Sequence, residues 1–133
     1  MSIRIDHIGI LVEDLEQAAL RRRPLLGSPA RVRELPDAGL RVAEFRAENV
    51  TIELLQYTAR DAAALARRTM GEGPGLNHVC AQVEDLDASV AALRGEGFEP
   101  MEGFPRQGSH GRIVFFHPDP VTGLLLEVCQ PDG

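Results

Sequence analysis

The chain repeats its own beginning, and this repeat restricts the possible fold more than any other feature. The segment IDHIGILVEDLE (Ile5–Glu16) returns 71 positions later as LNHVCAQVEDLD (Leu76–Asp87). A second match, between IELLQ at residues 52–56 and LEVCQ at residues 126–130, closes each copy. A unit this short cannot bury its apolar face alone, so the duplication predicts two modules that lie side by side.

Each copy begins with a strand and continues as a helix. HIGILV alternates apolar residues in the manner of a strand, and LNHVCAQV at residues 76–83 repeats it. Asp14 and Asp85 predict helix N-caps. We expect the first helix to end before Pro24 and the second, LDASVAALR, to be stopped by Gly95 and Gly97.

Later segments complete the two modules. RVAEF and NVTIELLQY predict a strand pair with a turn at Glu48-Asn49, and RIVFFH and GLLLEVCQ predict two closing strands. TARDAAALARRTM is helical in propensity and ends at GEGPG. The predicted fold class is α+β, with two tandem βαβββ modules forming a curved sheet cleft. We expect a single domain, 1–133, with module 1 at about 1–58, a linker helix and Gly-rich loop at about 59–75, and module 2 at about 76–133.

Composition excludes several classes of function. The 133 residues are 44% hydrophobic, enough for one domain with its own core. A net charge of −6, no tryptophan and one tyrosine argue against nucleic-acid binding. We expect no membrane span or signal peptide, a cytoplasmic location, and two reduced cysteines, Cys80 and Cys129.

Strand parity predicts which polar side chains share a face. Side chains alternate across a strand, so the apolar residues of each copy face one side, under the helices. His7, Glu53, His78 and Glu127 occupy the opposite parity in their strands. Two imidazoles and two carboxylates suit a divalent ion of the zinc, cobalt, nickel, manganese or iron group. Their matching places in a duplicated unit favour a metal site over four unrelated structural residues.

These segments resemble a known superfamily. IDHIGILVEDLE, GLNHVCAQVEDLD, GSHGRIVFFHP and GLLLEVCQ are similar to the vicinal oxygen chelate (glyoxalase/bleomycin resistance) superfamily. Within it, GSHGRIVFFHP resembles the methylmalonyl-CoA epimerase family. The resemblance implies His7, Glu53, His78 and Glu127 as ligands of one divalent metal ion, Co, Zn, Ni, Mn or Fe. It also implies Glu127 and Glu44 as the catalytic bases and His110 as a substrate contact.

The activity that the resemblance implies is metal-dependent epimerisation of methylmalonyl-CoA-like 2-acyl thioesters through an enolate. The expected partner is an acyl-CoA thioester, and a homodimer is expected. Two alternatives stay open: a glyoxalase I-like lactoylglutathione lyase, and a non-enzymatic drug-binding member of the superfamily. Arg21, Arg22 and Arg23 could meet CoA phosphates or serve only the helix dipole.

Overall fold

The computed structural model describes residues 3–61, 63–109 and 111–132, and the predicted order of elements occurs in it twice. The first module comprises β1 (Arg4–Leu11), α1 (Leu15–Leu26), β2 (Arg31–Leu35), β3 (Leu40–Arg46) and β4 (Thr51–Tyr57). After α2 (Leu65–Met70), the second comprises β5 (Gly75–Gln82), α3 (Leu86–Gly95), β6 (Arg106–Gly108), β7 (Gly111–Phe115) and β8 (Leu125–Gln130). The predicted α+β class with two βαβββ modules is confirmed.

The chain divides into two compact units with the same strand topology. The amino-terminal unit is His7–Asn77, and the carboxyl-terminal unit combines Met1–Asp6 with His78–Gly133. In the amino-terminal unit the strand order is β1-β4-β3-β2, and in the carboxyl-terminal unit it is β5-β8-β7-β6. The first pair in each order is parallel and the other pairs are antiparallel.

Each unit has an apolar core built from the residues that alternate on one strand face. In the amino-terminal unit the buried members are Leu15, Ala43, Phe45 and Leu54, with Ile10, Val12 and Ile52 packed against them. In the carboxyl-terminal unit they are Val83, Leu86, Val114, Phe116 and Val128, with Leu126 among the residues packed against them. Full burial of a side chain such as Phe45 stabilises the fold by about 1.5–3 kcal/mol. The apolar parity predicted from the sequence is confirmed at the following core positions: Ile10, Val12, Ile52, Leu54, Val83, Leu126 and Val128.

Both long helices start with the same set of hydrogen bonds. The Asp14 carboxylate accepts from the Gln17 N–H at 3.0 Å, and the Asp85 carboxylate accepts from the Ala88 N–H at 3.1 Å. Both predicted N-caps are therefore confirmed.

A glutamine from the last strand of each module completes these helix starts. The side-chain oxygen of Gln56 accepts from the Leu15 N–H at 2.9 Å, and that of Gln130 accepts from the Leu86 N–H at 2.8 Å. The first amides of a helix have no partner within the helix. Each glutamine therefore supplies the missing acceptor and links the helix to the last strand of its own module.

The structure differs from the sequence-based expectation for the first helix. The prediction that it ends before Pro24 is wrong, since α1 continues to Leu26 with Pro24 inside it. Proline removes one helical hydrogen bond, which the carbonyl of residue 20 would have accepted. The last turn is nevertheless closed by the Gly27 N–H, which donates to the Arg23 carbonyl at 2.9 Å.

The helix predicted across residues 58–70 is also shorter than expected. It covers only Leu65–Met70, and residues 58–61 are not helical. Just ahead of it, the Asp61 side chain accepts a hydrogen bond from the Ala63 N–H at 2.9 Å. Such a local bond offers the backbone an alternative to the helix, which overrides the propensity of the alanines.

Two glycines of the GSHG motif have a structural role. A Cβ at Gly111 would lie 2.1 Å from the carbonyl oxygen of Gln130, and Gly111 has φ of +100°. A Cβ at Gly108 would lie 2.8 Å from the side chain of Ile113. Gly111 therefore allows β7 to start against the end of β8, where any larger residue would collide with backbone.

We expect the Gln56→Ala and Gln130→Ala substitutions each to lower the free energy of unfolding by about 1 kcal/mol, because each leaves a helix-start amide without its acceptor. Chemical denaturation measures this change. Gln17→Ala is the matched control, since Gln17 is exposed and only its backbone takes part in the cap. A loss for Gln130→Ala no larger than for Gln17→Ala would contradict the assigned role.

No helix within the described ranges is long and apolar enough to cross a membrane.

Candidate functional site

In the amino-terminal unit, the strand face opposite the apolar core contains three buried ionisable side chains. His7, Glu44 and Glu53 are only 2%, 1% and 4% exposed. Glu44 and Glu53 lie directly opposite each other on antiparallel strands β3 and β4. Cross-strand partners point to the same face, so the two carboxyl groups are neighbours.

His7 and Glu53 form the first predicted metal-ligand pair. The Nε2 atom of His7 lies 3.7 Å from Oε1 of Glu53. This distance is beyond hydrogen-bond range but close to the spacing of two ligands on one cation. With metal–ligand bonds of about 2.1 Å, a tetrahedral site separates its donor atoms by about 3.4 Å.

His78 and Glu127 form the second pair, within the carboxyl-terminal unit. Nε2 of His78 lies 3.3 Å from Oε1 of Glu127, and both side chains are buried. The Phe115 ring packs edge-on against the His78 imidazole, with ring centroids 5.2 Å apart. The structure therefore brings each predicted histidine together with the glutamate of its own module.

Glu44 has a cationic partner that the sequence did not reveal. Nη2 of Arg33 lies 3.3 Å from Oε1 of Glu44, and the side chains of Arg33 and Glu44 are 16% and 2% exposed. Arg33 is on β2, a strand whose position was not predicted. The alternation in RVREL was the available signal, because it places Arg31 and Arg33 on one face.

The two modules differ at the position next to the predicted ligand glutamate. Glu44 lies opposite Glu53 in one module, and Phe115 lies opposite Glu127 in the other. One pair thus has a carboxylate as its neighbour and the other an aromatic ring. The duplication therefore keeps the histidine–glutamate pairs but not their surroundings.

The two cysteines are buried in the carboxyl-terminal unit and form no disulfide. Cys80 lies opposite Glu127 on the neighbouring parallel strand, so it shares the face of the second pair. A hydrogen bond with Cys129, followed by burial and the negative charge of Glu127, raises the pKa of the Cys80 thiol. The reduced state of both cysteines stays a prediction. His110, the predicted substrate contact, lies outside the described residues.

Similarity to known proteins agrees with this arrangement. The profile of the glyoxalase/bleomycin resistance protein/dioxygenase superfamily matches residues 6–116. The chain belongs to this superfamily. The predicted resemblance is confirmed, and the vicinal oxygen chelate fold accounts for the repeated βαβββ modules.

Several relatives of the chain are named as methylmalonyl-CoA epimerases. The chain is 32% identical over 130 residues to the ethylmalonyl-CoA/methylmalonyl-CoA epimerase of Cereibacter sphaeroides, covering 96% of this chain and 97% of that protein. It is 31% identical over 131 residues to the human mitochondrial methylmalonyl-CoA epimerase, covering 96% and 73%. A structure of a Streptomyces coelicolor methylmalonyl-CoA epimerase variant with 2-nitronate-propionyl-CoA has a TM-score of 0.82 and 30% identity, covering 98% and 95%. These similarities support an epimerase-like function.

Arg33 should stabilise the fold mainly through Glu44. We expect Arg33→Met to lower the free energy of unfolding by about 2–3 kcal/mol, because it leaves a buried carboxylate without its cation. In a Glu44→Gln background the same change should cost less than about 1 kcal/mol. Denaturation of the four proteins of this double-mutant cycle measures the coupling.

The matched control for this cycle is Arg46→Met, on the exposed end of β3. Its cost should be small and the same with or without the Glu44→Gln substitution. If Arg33→Met costs as much in the Glu44→Gln background as in the wild type, the ion pair is not what makes Arg33 important.

Proposed function

We propose that this protein is a divalent-metal-dependent epimerase of methylmalonyl-CoA-like 2-acyl thioesters that acts through an enolate. The observation that carries the proposal is the buried set on β3 and β4, where a candidate base, Glu44, lies directly beside a candidate ligand, Glu53. An epimerase needs a proton acceptor close to the group that stabilises the developing charge.

The proposed metal ligands are His7, Glu53, His78 and Glu127, which together bind one ion. The donor chemistry fits, because imidazole nitrogen and carboxylate oxygen suit Co, Zn, Ni, Mn or Fe in the divalent state. The spacing of 3.7 Å and 3.3 Å within the two pairs also fits. When bound, the ion supplies Lewis-acid stabilisation of the negative charge that develops on the thioester as the α-proton leaves.

In the proposed reaction, Glu44 and Glu127 exchange protons with opposite faces of the substrate. One carboxylate removes the α-proton, and the other, in its protonated form, returns a proton to the second face of the planar enolate. Arg33 positions Glu44 through their ion pair. Glu127 would act from the oxygen that is not engaged by the ion.

The proposed substrate is carried by coenzyme A. This choice is supported by a relative of the chain that is named for ethylmalonyl-CoA and methylmalonyl-CoA, and by the Streptomyces coelicolor structure, which contains 2-nitronate-propionyl-CoA. His110 as a substrate contact, a homodimeric assembly and a cytoplasmic location stay predictions. Deuterium exchange at the α-carbon of a 2-methylmalonyl thioester, together with its inversion, would distinguish the epimerase from the glyoxalase-like and drug-binding alternatives.

Protein purified without chelator, or reconstituted with cobalt, should contain about one divalent ion per chain, because the four proposed ligands form one site. Elemental analysis measures the content. His7→Ala combined with His78→Ala should remove most of it. Glu48→Gln is the matched control, because Glu48 is an exposed glutamate in the β3–β4 turn. Full uptake by the double histidine variant would rule out the proposed ligand set.

The metal-loaded protein should incorporate deuterium at the α-carbon of a 2-methylmalonyl thioester in heavy water. Glu127→Gln should abolish this exchange. Glu44→Gln should slow inversion by about 10²–10⁴-fold, the usual contribution of one general base, while exchange from the other face partly persists. Mass spectrometry measures deuterium exchange, and stereoisomer analysis measures inversion.

Glu48→Gln again serves as the control and should match the wild type in both measurements. Equal inversion rates for Glu44→Gln and wild type would place the second base elsewhere. Absence of any deuterium uptake by the metal-loaded wild type would contradict the epimerase and favour the glyoxalase-like or binding function.

A further inference from the structure

The carboxyl-terminal unit contains a second group of metal-binding side chains with different chemistry. Asp6, Cys80 and Cys129 each offer a ligand atom, and these three atoms all lie within 4.8 Å of one another. None of the three is among the proposed histidine and glutamate ligands. From this cluster we infer that the protein has a second cation site, which takes a soft divalent ion such as Zn²⁺ or Cd²⁺ on two thiolates and one carboxylate.

The geometry supports two thiolates on one ion. Cys80 pairs with Glu127 and Gln82 pairs with Cys129 on the parallel strands β5 and β8, so the cysteines are diagonal neighbours on one face. With metal–sulfur bonds of about 2.3 Å, a tetrahedral site separates its sulfur atoms by about 3.8 Å. The observed cluster lies within reach of that spacing.

The sister module shows that the fold itself does not require these donors. In the repeat, Cys80 corresponds to Gly9, Cys129 to Leu55, and Asp6 to Asn77. The amino-terminal unit therefore builds the same strand pair, β1 with β4, without sulfur at either position. In the carboxyl-terminal unit, three donor side chains replace these non-ligating or weakly ligating residues, and their ligand atoms lie close together. This favours a metal site over simple filling of the core.

The two buried thiols would make such a site selective for zinc-like ions. Cys80 and Cys129 are both 0% exposed, and Asp6 is half-buried. Soft thiolates favour zinc-like ions over magnesium, calcium or manganese, which prefer oxygen ligands. The imidazole and carboxylate pairs lack sulfur, so the two donor sets would prefer different ions. This inference does not depend on the proposed epimerase activity.

The test is a titration of the metal-stripped full-length chain with Cd²⁺, followed through the ultraviolet thiolate-to-cadmium charge-transfer band. The wild type should develop the band, and Cys80→Ser or Cys129→Ser should reduce it by at least about half, because each removes one of two thiolates. Asp6→Asn should keep the band but weaken the affinity by about tenfold or more. His7→Ala with His78→Ala is the control and should keep both band and affinity.

Three outcomes would overturn the inference. They are the absence of a charge-transfer band in the wild type, a band unchanged in Cys129→Ser, and loss of the band in the double histidine variant. If a serine variant does not fold, cadmium NMR of the wild type decides, since the chemical shift reports the number of sulfur ligands. A shift typical of fewer than two thiolates would contradict the site. Failure of the epimerase assays with a normal cadmium band would leave this site standing.

Discussion

Strands β3 and β4 bury side chains on both faces, and the two faces differ in polarity. On β3, Ala43 and Phe45 enter the apolar core, while the intervening Glu44 is 1% exposed on the opposite face. A carboxylate removed from water this completely costs several kcal/mol unless a partner offsets the loss. Arg33 supplies that partner at 3.3 Å, so this ion pair offsets the cost of burying a candidate base in the sheet.

The position of the proposed ligand glutamates, Glu53 and Glu127, follows from the hydrogen bonds that link each helix to its sheet. In both modules the glutamine three residues after this glutamate, Gln56 or Gln130, accepts a hydrogen bond from the first helical amide. The Val12 and Val83 amides donate to the carbonyls of residues 55 and 129, each at 2.8 Å. These bonds fix the register of strand against strand. A slip by one residue would turn the glutamate toward the core.

The sequence predicted those features that depend on local pattern and not those that depend on pairing between distant segments. A period of two residues was enough to assign His7 and Glu53 to one face, and the repeat transferred the assignment to His78 and Glu127. The contact between Arg33 and Glu44 could not be predicted in this way, because it requires the register of β2 against β3. Pro24 misled the helix assignment because a cap bond beyond it, from Gly27 to Arg23, keeps the last turn closed.

The two modules differ in the residue beside each histidine–glutamate pair. Duplication kept a histidine–glutamate pair in each, yet it placed Glu44 beside one pair and Phe115 beside the other. A buried phenylalanine contributes apolar contact and no proton chemistry, whereas a buried glutamate costs free energy and needs Arg33 to offset it. Packing alone would favour an apolar residue at both positions. A buried carboxylate at only one of them is therefore better explained by the proposed role of Glu44 as a base than by packing.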